Sequence, residues 1–131
     1  MHLFAIDPHD GVISSLDQGV TQTRPTFETF TQNIREAGIE DIVEPIVAHS
    51  IEVTWNKPIS LLLIDGLHDY HSVAQDFHQF SDWIRLGGAV AFHDYADYFQ
   101  GVKKFVDELI GQGQYKFSKE AKSLLVLEKS L

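Results

Sequence analysis

The sequence predicts an α/β fold: a mostly parallel sheet with helices on both faces, ending in an antiparallel pair of C-terminal strands. Three observations predict it. Short apolar runs alternate with amphipathic stretches at helical spacing, the pattern that makes helices crossover connections between parallel strands. Three of the runs stop abruptly at an Asp, at Asp7, Asp65 and beside His93 at Asp94. The 131 residues, 44% hydrophobic and 22% charged, have the size and composition of one folded domain.

The elements follow in order. Leu3 to Ile6 is a short apolar strand closed by Asp7-Pro8. From Thr26 to Ala37, Phe27, Phe30, Ile34 and Ala37 recur at helical spacing, with Thr26 as N-cap and Gly38 just past the end. Ile42, Val43, Ile46 and Val47 make a second strand, and Pro45 within it, which cannot donate to a ladder, places it at an edge. A short helical turn fits Ser50 to Asn56, ended by Pro58. Ile59 to Ile64 is almost continuously apolar, as expected of a central parallel strand covered on both faces. Val73, Phe77, Phe80 and Ile84 then define an amphipathic helix that Gly87-Gly88 should stop. Ala89 to Phe92 is the next strand, Val102, Phe105, Val106 and Leu109 mark a third helix, and Tyr115 to Phe117 with Leu124 to Leu127 form the closing pair.

Charge and composition exclude several functions. Ten basic against nineteen acidic residues give a net charge of −9, which repels phosphate backbones and anionic headgroups, so neither nucleic acid nor membrane is an expected partner. With no Cys there is no disulfide, thiolate nucleophile or Cys-ligated metal. No apolar stretch approaches the roughly 18 residues of a membrane span, and no leader pattern opens the chain, so a cytoplasmic location is expected. Polar chemistry falls to carboxylates and seven His.

Ligands in open parallel sheets bind beyond the carboxyl ends of the strands, where Asp7, Asp65 and Asp94 should lie. If Asp65 and Asp94 end neighbouring strands, their backbones start about 4.8 Å apart, close enough to share a cation. His68 and His93 stand beside them in sequence, and an imidazole with a pKa near 6.5 suits a general base for a hydroxyl proton. His71 and His78 read as solvated, and the aromatic residues Phe77, Phe80, Trp83 and Phe105 as packing.

The segment Leu61-Leu-Leu-Ile-Asp-Gly-Leu-His-Asp-Tyr70, followed by a helix and by Leu86-Gly-Gly-Ala-Val-Ala-Phe-His-Asp94, resembles the fourth to fifth strands of class I S-adenosylmethionine-dependent methyltransferases. Within them it is most similar to the small-molecule O-methyltransferase-like group with an Asp-Gly-x-His-x-Tyr motif. Ala5-Ile6-Asp7-Pro8-His9 resembles that group's second strand, and the closing strand pair its antiparallel ending. The resemblance implies a Rossmann-like fold, S-adenosylmethionine as cofactor, and O-methylation of a small molecule or sugar. It assigns Asp7 to the cofactor's ribose hydroxyls, and His49 and Ser50 to the adenine border, where the family usually reads Gly-Asp. Asp65, Gly66 and His68 fall near cofactor and acceptor. Asp65, His68, His93 and Asp94 are the candidate catalytic residues, and Asp65 and Asp94 the candidate ligands of a divalent metal such as magnesium.

The same resemblance implies that the family's first strand, normally between the second and fourth, and its glycine-rich turn are missing, so residues 1–131 read as a single methyltransferase-like domain truncated at its N-terminus. Two outcomes are expected: direct pairing of the Leu3 to Ile6 strand with the Ile59 to Ile64 strand, or completion by another chain, as in a homodimer covering that edge. The loop from Gly11 to Arg24 is expected to overhang the site. Two functions compete with methyl transfer: a non-catalytic or partner-completed fragment, and a metal-binding hydrolase or hydroxylase-like relative using Asp65 and Asp94.

Overall fold

The structure, a computed structural model, describes residues 1–10 and 26–131. It comprises two compact units, Met1–Val53 and Thr54–Leu131. The loop expected over the site, Gly11 to Arg24, lies outside the described residues.

In the first unit, strand β1 (Leu3–Ile6) leads through helix α1 (Phe27–Glu36) to strand β2 (Val43–Ile46). The two strands pair in parallel, Leu3 with Val43 through Ile6 with Ile46. Pro45 sits opposite Ala5 on an edge strand, where a missing N–H leaves no gap in the ladder. Thr26 precedes α1 as expected but does not cap it, because its hydroxyl is engaged by His9 Nδ1 at 2.8 Å. His9 is buried between Phe27 and Phe30 and adopts a φ of +53°. Gly38 takes the left-handed conformation (φ +69°) that ends the helix. A 3₁₀ turn follows at Ser50–Glu52.

The second unit is a four-stranded sheet of order β3-β4-β6-β5, built from β3 (Ile59–Ile64), β4 (Ile84–Phe92), β5 (Tyr115–Ala121) and β6 (Leu124–Lys129). Helix α2 (Tyr70–Phe80) crosses from β3 to its parallel neighbour β4, and α3 (Gln100–Gly111) leads to the antiparallel pair β5–β6. The core forms where both helices meet one face of the sheet. Phe77 of α2 and Phe105 of α3 lie 5.5 Å apart, centroid to centroid, and each is within 6.2 Å of Phe92 on β4. Val90, Leu125 and Leu127 complete that face, all buried, as are Val73, Val102, Val106 and Leu109 of the helices. Burying each such side chain contributes about 1.5–3 kcal/mol.

Three expectations are corrected. Ile84 begins β4 instead of ending α2, which stops at Phe80 and passes through a 3₁₀ turn at Ser81–Trp83. Gly87-Gly88 therefore lies within a strand and not at a helix terminus. The register jumps there from Ile59↔Ile84 to Leu61↔Ala89, Gly87 has φ +76°, and a Cβ on Gly88 would come within 2.8 Å of the Arg85 carbonyl, so glycine is required for the irregularity. Next, among the described residues β3 stands at the edge of its sheet, and Leu61 and Leu63 are 62% and 58% exposed on the face opposite the helices. Its apolar run marks the buried side through Ile59 and Ile64 only. Among the described residues each strand takes its parallel ladder from its own βαβ unit, β1 with β2 and β3 with β4. Among the described residues no helix is long and apolar enough to cross a membrane.

Candidate active site

The parallel register of β3 and β4 dictates the site. Ile64 pairs with Phe92, and the His93 amide continues the ladder by donating to the Ile64 carbonyl at 3.0 Å. The next residues of both strands, Asp65 and His93, consequently emerge side by side. His93 Nδ1 lies 3.1 Å from Asp65 Oδ1 and 2.8 Å from Asp94 Oδ2. Asp94 holds a φ of +61°, a conformation that Asp and Asn tolerate better than other non-glycine residues. That same Oδ2 is also 2.8 Å from Nε2 of His68. One carboxylate oxygen thus joins two imidazoles.

The four groups differ in exposure. His68 and Asp94 are 16% and 15% exposed at their side chains, whereas His93 and Asp65 stand in solvent at 44% and 56%. The hydrogen bond to Asp94 raises the His93 pKa; burial opposes it, and the charges of Asp65 and Asp94 add to it. His93 therefore carries more positive charge near neutrality than a free imidazole.

His68 is positioned from three sides. Asp94 pairs with its Nε2, Phe99 stacks on its ring at 4.0 Å and 27°, and Asp69 anchors the following backbone as N-cap of α2. The Asp69 carboxylate accepts from Ser72 N at 3.0 Å and from the Ser72 hydroxyl at 2.8 Å. Burial works against ionisation of Asp69, but those Ser72 hydrogen bonds prevail and its pKa is lowered. Tyr70 donates its hydroxyl to Glu108 of α3 at 2.5 Å and meets Phe105 edge-on, tying α2 to α3. Asp65, Gly66, His68, Phe92, His93 and Val102 line a shallow cleft at this end of the sheet. A Cβ on Gly66 would lie 2.8 Å from Asp76 Oδ2, the end of a side chain that can turn aside, so the small residue brings the Asp76 carboxylate close to the backbone after Asp65.

The second unit thus brings together all four candidate catalytic residues: Asp65, His68, His93 and Asp94. One ligand atom from each of Asp65, His68 and Asp94 lies within 4.8 Å of the others, a grouping able to hold a cation, and His68 extends the expected pair of ligands. In the first unit, Asp7 ends β1, with Oδ1 accepting the His9 amide at 2.7 Å and the carboxylate 60% exposed. His49 Nε2 lies 3.5 Å from Asp10, and Ser50 opens the 3₁₀ turn. Phe99 is the site residue that sequence reasoning passed over. It belongs to no periodic pattern, and its position after His93-Asp94 was its one signal.

A family model described as a methyltransferase domain matches residues 1–95, a span holding β1 through Asp94. The chain belongs to the methyltransferase-domain family. The class I methyltransferase fold agrees with the solved structures it resembles. The O-methyltransferase NovP superposes with a TM-score of 0.79 at 15% identity, covering 99% of this chain and 60% of that one. The SAH-bound Podospora anserina methyltransferase PaMTH1 gives 0.68 at 11% identity, with 99% and 72% covered. An rRNA methylase from Streptococcus thermophilus gives 0.63 at 15% identity, with 99% and 88% covered. An uncharacterized protein of Acanthamoeba polyphaga mimivirus is 33% identical over 67 residues, 51% of this chain. The methyltransferase-domain chain spans 28% of that viral protein's length and 60% of NovP's.

Proposed function

We propose that this methyltransferase-domain chain uses S-adenosylmethionine to methylate an oxygen of a small molecule or sugar. The observation that carries this is the His68 Nε2 to Asp94 Oδ2 pair at 2.8 Å, held at the carboxyl ends of adjacent parallel strands. His68 takes the acceptor's hydroxyl proton. Asp94 holds the ring in place and accompanies the positive charge that forms on it, so charge separation costs less than with an isolated imidazole. S-adenosylmethionine, when bound, would supply an electrophilic sulfonium methyl and leave as S-adenosylhomocysteine, and the part of this chain's residues would be to orient the acceptor oxygen and remove its proton. Asp7 is assigned the cofactor's ribose hydroxyls on family grounds, and its exposed carboxylate at a strand end has the chemistry for it. His49 and Ser50 remain the candidates for the adenine border. The net charge of −9 favours a small acceptor over RNA.

Asp65, His68 and Asp94 fit a divalent cation by donor type, two carboxylates and one imidazole, a set that suits manganese or zinc better than magnesium. A bound ion would supply Lewis-acid polarisation of the acceptor oxygen.

A second reading is favoured by the outer edge of β3, which pairs with no strand among the described residues. In it, residues 1–131 form a methyltransferase-like domain that another chain, such as a second copy, must complete. Calorimetric titration with S-adenosylhomocysteine, with and without magnesium and manganese, separates the two. Micromolar binding, about −8 kcal/mol, supports a cofactor site in this chain, and no binding leaves the completed-domain reading.

A further inference from the structure

We infer that Phe99 and Gly101 are positioning residues that set the His68 ring against Asp94, an inference that deepens the proposed role of His68. Neither residue belongs to the Asp-Gly-x-His-x-Tyr motif. Both sit where the chain leaving Asp94 turns into α3, Phe99 as the residue before the helix and Gly101 in its first turn.

Gly101 packs directly on the backbone that carries His68. A Cβ at this position would lie 2.4 Å from Tyr70 N, 3.0 Å from the Asp69 carbonyl carbon and 3.0 Å from the His68 carbonyl oxygen. All three neighbours are backbone atoms, and the Asp69 cap and the Tyr70 to Glu108 bond hold that segment from both sides. The space cannot be recovered by turning a side chain. Any larger residue separates α3 from residues 68–70, and ordinary carbon contacts near 3.5–4.0 Å set the displacement at about 1 Å.

Phe99 acts on the ring itself. Its stacked contact with His68, 4.0 Å and 27°, covers one imidazole face, and Tyr98 packs edge-on against Phe99 at 4.9 Å. The Phe99 amide donates to the Ala96 carbonyl and its carbonyl accepts from Lys103 N, so the ring is carried by the first turn of α3. The connection from β4 to α3 therefore determines both partners of the pair, Asp94 at its start and the surface that orients His68 at its end. A hydrogen bond between a ring and a carboxylate is directional, and a displacement of about 1 Å is enough to break it.

The test compares Phe99→Leu, Phe99→Tyr and Gly101→Ala in the full chain, read by nitrogen-15 NMR of the His68 imidazole without cofactor or metal. In the unsubstituted chain the ring is expected to show a hydrogen-bonded Nε2–H. Phe99→Leu and Gly101→Ala should lose that signal while far-UV circular dichroism stays unchanged, and Phe99→Tyr, which keeps the ring, should retain it. Where methyl transfer is measurable, Phe99→Leu should lower kcat by about tenfold or more and leave S-adenosylhomocysteine affinity within about twofold. Persistence of the unsubstituted His68 signal in Phe99→Leu overturns the inference, even if Gly101→Ala fails to fold. An unsubstituted chain that shows the His68 signal but binds no S-adenosylhomocysteine overturns methyl transfer by this chain and leaves the positioning role standing.

Discussion

Replacing Phe77 by Ala tests whether the aromatic cluster between α2, α3 and the sheet is the core of the second unit. Phe77 is 3% exposed, and its ring lies 5.5 Å from Phe105, 5.5 Å from Tyr115 and 6.2 Å from Phe92. Losing its burial costs about 1.5–3 kcal/mol, and each lost ring pair adds roughly 0.5–1.5 kcal/mol before the neighbours relax. Relaxation offsets part of that sum, leaving a loss of about 3–5 kcal/mol, the range measured for buried Phe→Ala changes. Against a typical total of about 5–15 kcal/mol this is a large fraction. Both tryptophans, Trp55 and Trp83, belong to the second unit, and Trp55 packs edge-on against Phe80 of α2. Urea unfolding followed by tryptophan fluorescence therefore reports this unit. With a slope of about 2 kcal/mol per molar, a loss of about 4 kcal/mol lowers the midpoint by roughly 2 M. A shift corresponding to less than about 1 kcal/mol would refute the close-packed cluster, because so small a cost belongs to surface positions.

Other expectations follow from single contacts. Asp94→Asn, which still tolerates the left-handed backbone but removes the negative charge shared by His68 and His93, should reduce methyl transfer by about 10²-fold or more in a radiolabel transfer assay while leaving the fold intact. Asp69→Ala should cost about 1 kcal/mol through loss of the α2 cap, measured by thermal unfolding. Because the folded-state pKa of Asp69 is lowered, the cap's contribution is present above the unfolded value near 3.8 and fades as pH falls through the folded one. Burial first, and then the charge of Asp82, raise the Tyr115 pKa above 10.0, so stability should be full below pH 10 and fall as pH rises through the folded value. Tyr115→Phe should remove that alkaline loss, as followed by circular dichroism. Leu61→Lys on β3 should leave stability nearly unchanged and abolish any self-association through that edge, read by analytical ultracentrifugation.

The sequence made the element order readable because apolar periodicity and turn residues are local signals. Phe77 and Phe80, or Val102 through Leu109, announce a helix from their own spacing. What it concealed was set by distant partners. The glycine pair at 87 and 88 resembles a helix stop until Ile59 is seen opposite the irregularity. Ile59–Ile64 reads as a central strand because composition cannot say how many neighbours a strand has. The site divided in the same way. Strand-terminal acids and the nearby His residues were visible, since a run that stops at Asp is a local pattern. The shared Oδ2 of Asp94 and the Phe99 ring on His68 arise from a backbone turn and a helix start that no spacing rule encodes.

The left-handed backbone at Asp94 has a consequence for how this chain can vary over generations. Conformation there admits Gly, Asn and Asp at low cost, whereas holding two imidazoles demands a carboxylate. Only Asp satisfies both demands. Glu, the substitution nearest in chemistry, is disfavoured by the backbone, and Gly, the one easiest on the backbone, removes the chemistry. A lineage that drifts to Gly or Asn at this position would keep a stable fold and lose the junction between His68 and His93, so position 94 separates descendants that retain the site from those that retain only the scaffold.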